Sequence, residues 1–311
     1  MAEYKGIHGT KIQNYTSDPD NPLQGQVWYN ETTNGLKYFY VNPGSWATGG
    51  ALGTARYALA GAGIQTAALG FGGYAPGSDS ALTETYNGTN WTEVNDLNTA
   101  RRGLGGIGTQ TAALGFGGAT GVSVAITETW NGTNWTEVNN LNTARRYLAG
   151  AGTNTAGLAF GGGPAVAVTE TWNGTNWTEV NDLNTGRRFL AGAGSSTAAL
   201  AFGGTAPGQL TETWNGTNWT EVNDLNTGRY SAGCGASNTA ALAFGGPSGS
   251  ALTETWNGTN WTEVGDLNVG RTYLAGVGTN TTALAFGGSP PVSAATEEWT
   301  AGPVTATITT D

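Results

Sequence analysis

Six arginines and six glutamates recur along this chain at matched places. Arg56, Arg101, Arg145, Arg187, Arg229 and Arg271 each stand fifteen residues before a Phe-Gly-Gly. Glu84, Glu128, Glu170, Glu212, Glu254 and Glu297 each precede an aromatic residue by two. A ring of such cations would grip an anion at a pore mouth, whereas a one-to-one match of cation and carboxylate would tie strands together through hydrogen-bonded pairs. The match favours pairing. Catalysis needs a particular group at a particular point, which sixfold repetition does not supply. The single histidine, His8, and the single cysteine, Cys234, lie in different regions, so they form no dyad and cannot build a His/Cys zinc site within one chain. A carboxylate pair can hydrolyse glycosides, but within the repeats only Asp79 and Glu298 stand outside the repeating pattern. Asn-Gly-Thr-Asn-Trp-Thr holds two glycosylation acceptor patterns, as at Asn131 and Asn134. Asn-Gly is also the pair a hairpin uses where φ must be positive, and turn chemistry explains the motif better. The expectation is a protein that is not an enzyme, with no catalytic residue, metal or cofactor.

Composition narrows the class further. Only 11% of the 311 residues are charged and 52 are glycine, but 12 Trp, 11 Tyr and 8 Phe supply far more core-forming surface than a disordered chain has. The net charge is −10, with three lysines in all (Lys5, Lys11 and Lys37), so the clustered cations that a nucleic-acid surface needs are missing. One cysteine excludes an intrachain disulfide framework. The opening MAEYKGIHGTKIQNYTSDPD has no apolar core of the signal-peptide kind, and no stretch is long enough to cross a bilayer, so no membrane insertion is expected.

The elements that must position these residues are read from the repeat. Phe-Gly-Gly begins at Phe71, Phe116, Phe160, Phe202, Phe244 and Phe286, at spacings of 45, 44, 42, 42 and 42 residues. Each unit holds four short extended segments: an Ala/Gly run, a run ending in Phe-Gly-Gly, Thr-Glu-Thr-Trp and Asn-Trp-Thr-Glu-Val. Four strands in a period of about 40–50 residues is the arithmetic of a propeller blade. An Ala/Gly first strand suits the crowded ring axis, and the paired tryptophans suit the wedges between outer strands. The last unit lacks a Trp-bearing fourth strand, while an orphan one, Ser45–Gly50, precedes the first. Trp46 lies ten residues before Arg56, as Trp135 lies ten before Arg145. The prediction is an all-β, six-bladed propeller over 44–302, closed at Trp46 by an N-terminal strand. In Arg229–Thr239 the Ala/Gly run arrives one residue early and Ala236 restores the register, which predicts a bulge with Cys234 as a small buried filler.

A Gly-Gly after a hydrophobic strand, then an aromatic, a Trp about five residues on and an Arg together resemble the kelch repeat. The departure is that the third-strand aromatic is mostly Trp, with Tyr only at Tyr86. Kelch propellers host sugar oxidases, adaptors and structural proteins, so the resemblance speaks to architecture and leaves function open. Antiparallel strands put the connections between second and third strands on one face, and these carry all the length variation: 9, 8, 6, 6, 6 and 7 residues in chain order. Loops that vary on a constant scaffold are where recognition is usually placed. The candidate binding residues there are Tyr74, Asp79, Thr120, Pro164, Pro207, Gln209, Ser248, Pro290 and Pro291.

Residues 1–43 do not repeat. Gln26–Tyr40 has two aromatic-rich runs around Thr-Asn-Gly and reads as a β-hairpin appendage. Asp18, Pro19, Asn21, Pro22, Gly25, Gln26, Trp28, Tyr29 and Asn30 resemble N-terminal stretches of structural proteins from tailed bacteriophages. That resemblance implies a non-enzymatic virion component of tail-fibre, adhesin or decoration type, assembled in the host cytoplasm. Trp28, Tyr29, Tyr38 and Tyr40 would anchor it to other virion structural proteins, and the loop face would meet a host surface glycan or a neighbouring virion protein. The tail 303–311 alternates like a strand and could add to a sheet edge of the propeller or of a neighbour, such as a second copy in a homo-oligomer. The alternatives are a cellular sugar-binding or adaptor propeller and a carbohydrate-active enzyme.

Overall fold

A computed structural model describes residues 12–205, 207–230 and 232–308. His8, Lys5 and Lys11 lie outside the described residues. The chain forms an all-β propeller with a single short 3-10 turn, Pro247–Gly249, among the described residues. It divides into a larger compact unit, Ser45–Thr300, and a smaller one made of residues up to Gly44 and from Ala301 onward.

Five four-stranded antiparallel sheets follow the repeat. The third runs Ala149–Gly152, Gly157–Phe160, Thr169–Trp172 and Trp177–Val180, each strand beside its neighbour in sequence. Six equal blades were expected, and five four-stranded blades form. The sixth repeat has no Asn-Trp-Thr-Glu-Val of its own, so its strands Ala275–Gly278, Thr282–Phe286 and Thr296–Thr307 enter a six-stranded sheet with Gly35–Gly49, Val27–Asn30 and Gln13–Tyr15.

The innermost strands of all six repeats line a central cavity of about 220 Å³. A Cβ on Gly192 would sit 2.5 Å from the carbonyl oxygen of Gly150 in the neighbouring blade, which is why the inner strand tolerates so few side chains. Between Gly235 and Ser237 the pairing register shifts, at the bulge the sequence places there. Cys234 is buried on the cavity wall, at the place of Ala151 and Ala193, and burial pushes its thiol up, away from the reactive thiolate.

Blades are joined through outer-strand tryptophans. The ring of Trp135 lies 4.8 Å from Phe71 of the preceding blade and its Nε1 donates to Thr83 Oγ1 at 3.0 Å. Trp177, Trp219 and Trp261 repeat this with Thr127, Thr169 and Thr211. Trp91 does so with Thr296, and Trp46 with Thr253. Trp46 also packs 5.0 Å from Phe244, and its carbonyl accepts from Asn268, as that of Trp177 does from Asn142.

All six repeated arginines meet their glutamates inside the blades. Arg56–Glu84, Arg145–Glu170, Arg187–Glu212 and Arg271–Glu297 lie at 2.7–2.9 Å, with Arg101–Glu128 and Arg229–Glu254 closer still. Burial pushes each guanidinium below its ordinary value and the facing carboxylate works against that. The arginine also clamps the variable loop. Arg145 Nη1 donates to the carbonyls of Gly161 and Val168, which flank it, and Arg56, Arg187 and Arg271 do the same in their repeats. The glutamate's second oxygen is held too, Glu170 Oε2 accepting from the backbone and side-chain nitrogens of Asn142. Arg145→Leu leaves Glu170 buried without its cation and is expected to cost about 3–5 kcal/mol. The double variant Arg145→Leu/Glu170→Leu should recover much of that loss in urea unfolding.

Candidate functional site

The connection from one blade's outer strand to the next inner strand carries the clamp arginine and, two residues later, a residue with left-handed backbone. Ala58, Gly103, Tyr147, Phe189 and Tyr273 hold that place with φ of 53°, 62°, 55°, 60° and 54°. Bulky residues rarely adopt it, and each such residue stores local strain. The conformation is enforced by hydrogen bonds that pass from blade to blade. Ala58 N donates to Tyr273 O, Gly103 N to Ala58 O, Tyr147 N to Gly103 O and Phe189 N to Tyr147 O, at 2.6–2.9 Å.

This belt turns aromatic rings toward the axis on the variable-loop face. Tyr147 and Phe189 lie 4.2 Å apart, and Phe189 is 5.3 Å from both Tyr230 and Tyr273. With Leu59, Leu104, Leu148, Leu190 and Leu274 beneath, these rings line a cavity of about 110 Å³. Tyr57 extends the array to Tyr273 on one side and Tyr74 on the other. Burial raises the phenols of Tyr57 and Tyr273 above their ordinary value.

The residue after the clamp arginine ties this mouth to the loops. Tyr57 bridges Tyr74, Arg102 bridges Ala119, Arg146 bridges Gly163 and Thr272 bridges Ser289 through backbone pairs. Two of the predicted loop residues meet the residue after a clamp arginine: Asp79 pairs with Arg102 at 2.5 Å, and the guanidinium of Arg102 stacks 5.0 Å over Tyr74. Pro207 and Gln209 line a separate surface hollow of about 420 Å³ that reaches Tyr230 and Pro247. Thr120, Pro164, Ser248, Pro290 and Pro291 are exposed and line neither of these hollows. Tyr147, Phe189, Tyr230 and Tyr273 were not singled out from sequence. The signal was an aromatic one or two residues after the clamp arginine, present in some repeats and absent from others.

The non-repeated acids have separate partners. Asp79 is held by Arg102, whereas Glu298 accepts a 2.5 Å hydrogen bond from the hydroxyl of Tyr86, the one tyrosine among the third-strand aromatics. No group of three or more His, Cys, Asp or Glu suited to a metal ion occurs among the described residues. The Asn-Gly turns are built as turns: Asn131 Oδ1 accepts from the backbone of Thr133 and Asn134, and Asn134 Oδ1 accepts from Asn95 of the neighbouring blade.

The smaller unit contains the expected hairpin, with Val27 opposite Tyr38 and Asn30 opposite Gly35. Trp28 is buried there, and its Nε1, with the amide of Asn30, donates to Asp18, which lies below the usual carboxylate range because of those two bonds. Its ring is therefore held inside this unit, where it was expected to anchor the chain. Tyr29, Tyr38 and Tyr40 remain half-buried, the last two stacked at 5.4 Å. The C-terminal strand pairs here, Ile308 N donating to Leu36 O and Lys37 Nζ to Thr307 Oγ1.

Comparison with protein-family models and with curated proteins finds no match to the chain. The site is thus described by its own geometry. Tyr86 yields a pH test: burial, then Glu298, pushes its phenol up to about 12, above the ~10 of an unfolded tyrosine. The stability linked to the neutral phenol is full below about pH 10 and is lost as pH rises toward 12. Tyr86→Phe should show a shallower loss of urea midpoint over that window than the parent protein.

Proposed function

We propose that this chain is a non-enzymatic binding protein on a six-bladed, kelch-like propeller closed by its own N-terminal strand, serving as a structural component of a tailed-phage virion. The observation that carries the binding role is the division of labour among its charges. The repeated arginines and glutamates are consumed in buried pairs, while unequal loops and an aromatic mouth gather on one face. The closure reading draws support from Trp46, which makes the same bonds to Thr253, Phe244 and Asn268 that other outer-strand tryptophans make in their blades.

The anchoring role draws on the smaller unit. Five of the eight exposed large hydrophobics among the described residues lie in it: Ile12, Leu23, Val27, Val41 and Ile308. So uneven a share on so small a unit suits burial against another protein. The phage-like stretch from Asp18 to Asn30 points the same way. In this reading the smaller unit docks to other virion structural proteins and the loop face meets a host surface glycan.

Two measurements test this. Purified virions should contain the protein by mass spectrometry, and its absence there, with glycan binding retained, would favour the cellular sugar-binding alternative. A chain beginning at residue 51 loses Trp46 and should melt at a markedly lower temperature; an unchanged melting temperature would argue against closure through that strand.

A further inference from the structure

Seven of the nine arginines are committed to acids, six to the blade glutamates and Arg102 to Asp79. Arg146 and Arg188 are the other two, and among the described residues neither meets a carboxylate. Both are half-buried, and each lies beside an aromatic residue of the strained belt: Arg146 is 6.0 Å from the Tyr147 ring and Arg188 is 5.2 Å from that of Phe189. A guanidinium stacked on a ring keeps its edge N–H groups free, and that edge matches a carboxylate in two-pronged fashion. In a chain of net charge −10, these two cations flank Tyr147 and Phe189, two of the rings that line the aromatic cavity.

Resting on the binding role proposed above, we infer that the axial mouth is a site for a single acidic pyranose, a six-membered sugar ring bearing a carboxylate. The apolar face of the sugar lies on Tyr147, Phe189 and Tyr273, the hydroxyls of Tyr230 and Tyr273 serve the ring hydroxyls, and Arg146 and Arg188 take the carboxylate. Size sets the limit to one ring. The cavity of about 110 Å³ is well below the ~300–1,000 Å³ of sites for drug-sized ligands. Aromatic residues held at φ of 54–60° are a local cost that glycine relieves at Gly103, and a ligand-facing role accounts for their retention in three repeats.

The fold itself supplies conservative variants. Thr272 occupies in the sixth repeat the place of Arg146 and Arg188, and Ala58 and Gly103 occupy the place of Tyr147 and Phe189. The test is saturation-transfer NMR and calorimetry on the full chain with glucuronate, glucose and benzoate. Glucuronate should bind, glucose about tenfold or more weakly, the scale of a charge-assisted hydrogen bond, and added salt should weaken glucuronate alone. Arg146→Thr/Arg188→Thr should bring glucuronate down to the level of glucose, and Tyr147→Ala/Phe189→Gly should remove both, with unchanged circular dichroism. Binding of benzoate without glucuronate, no transfer to glucuronate, or transfer indifferent to both double variants would overturn the assignment. Loss of host-glycan binding on changing Pro207 and Gln209, with the mouth variants silent, would overturn the mouth while leaving the broader binding role intact. Absence from virions would remove only the virion role.

Discussion

Everything on the loop face depends on one buried guanidinium per repeat. In four of the repeats the arginine binds the third-strand glutamate and two backbone carbonyls at the ends of the variable loop, so a single side chain, as with Arg145, joins the start of the inner strand to both edges of the loop. An ion pair this deep gains less from Coulomb attraction than its short distances suggest, because both charges leave water. Its contribution is geometric. The clamp fixes the backbone one residue before the loop bridge and two before the left-handed residue, and from there the mouth follows.

The tryptophan wedges act on the other axis. Arginine clamps organise a blade, whereas Trp-to-Thr bonds and Trp–Phe contacts set each blade against the one before it. The indole needs a polar partner once buried, and the threonine that opens each third strand supplies it. Burying the apolar rings and satisfying their N–H groups is thus done by the same repeated motif.

Much of this was legible in the residues. The Phe-Gly-Gly spacing marked the propeller, the matched Arg and Glu marked the buried pairs, and the displaced run before Cys234 marked the bulge. Other features were not. The sixth repeat's sheet takes in more than one outer strand, because the segment around Trp46 belongs to a longer strand shared with the hairpin. The burial of Trp28 was not legible, because an aromatic residue on a short hairpin does not declare its facing, and Asp18, ten residues away, holds its indole. The aromatic mouth escaped notice because glycine is the usual mark of a left-handed residue. Here Tyr147, Phe189 and Tyr273 take that conformation for the sake of a backbone hydrogen bond contributed by another blade.

The loop clamps also bear on how such a surface can diversify. With both ends of a loop pinned by the same guanidinium, lengthening it alters the closure entropy and little else. Passing from six residues, as in the third repeat, to nine, as in the first, changes that term by only about 0.4 kcal/mol. Each loop is in effect a cassette mounted on a fixed socket. A lineage carrying this fold can therefore rewrite its outward face one insertion at a time while the tryptophan-wedged body beneath stays the same.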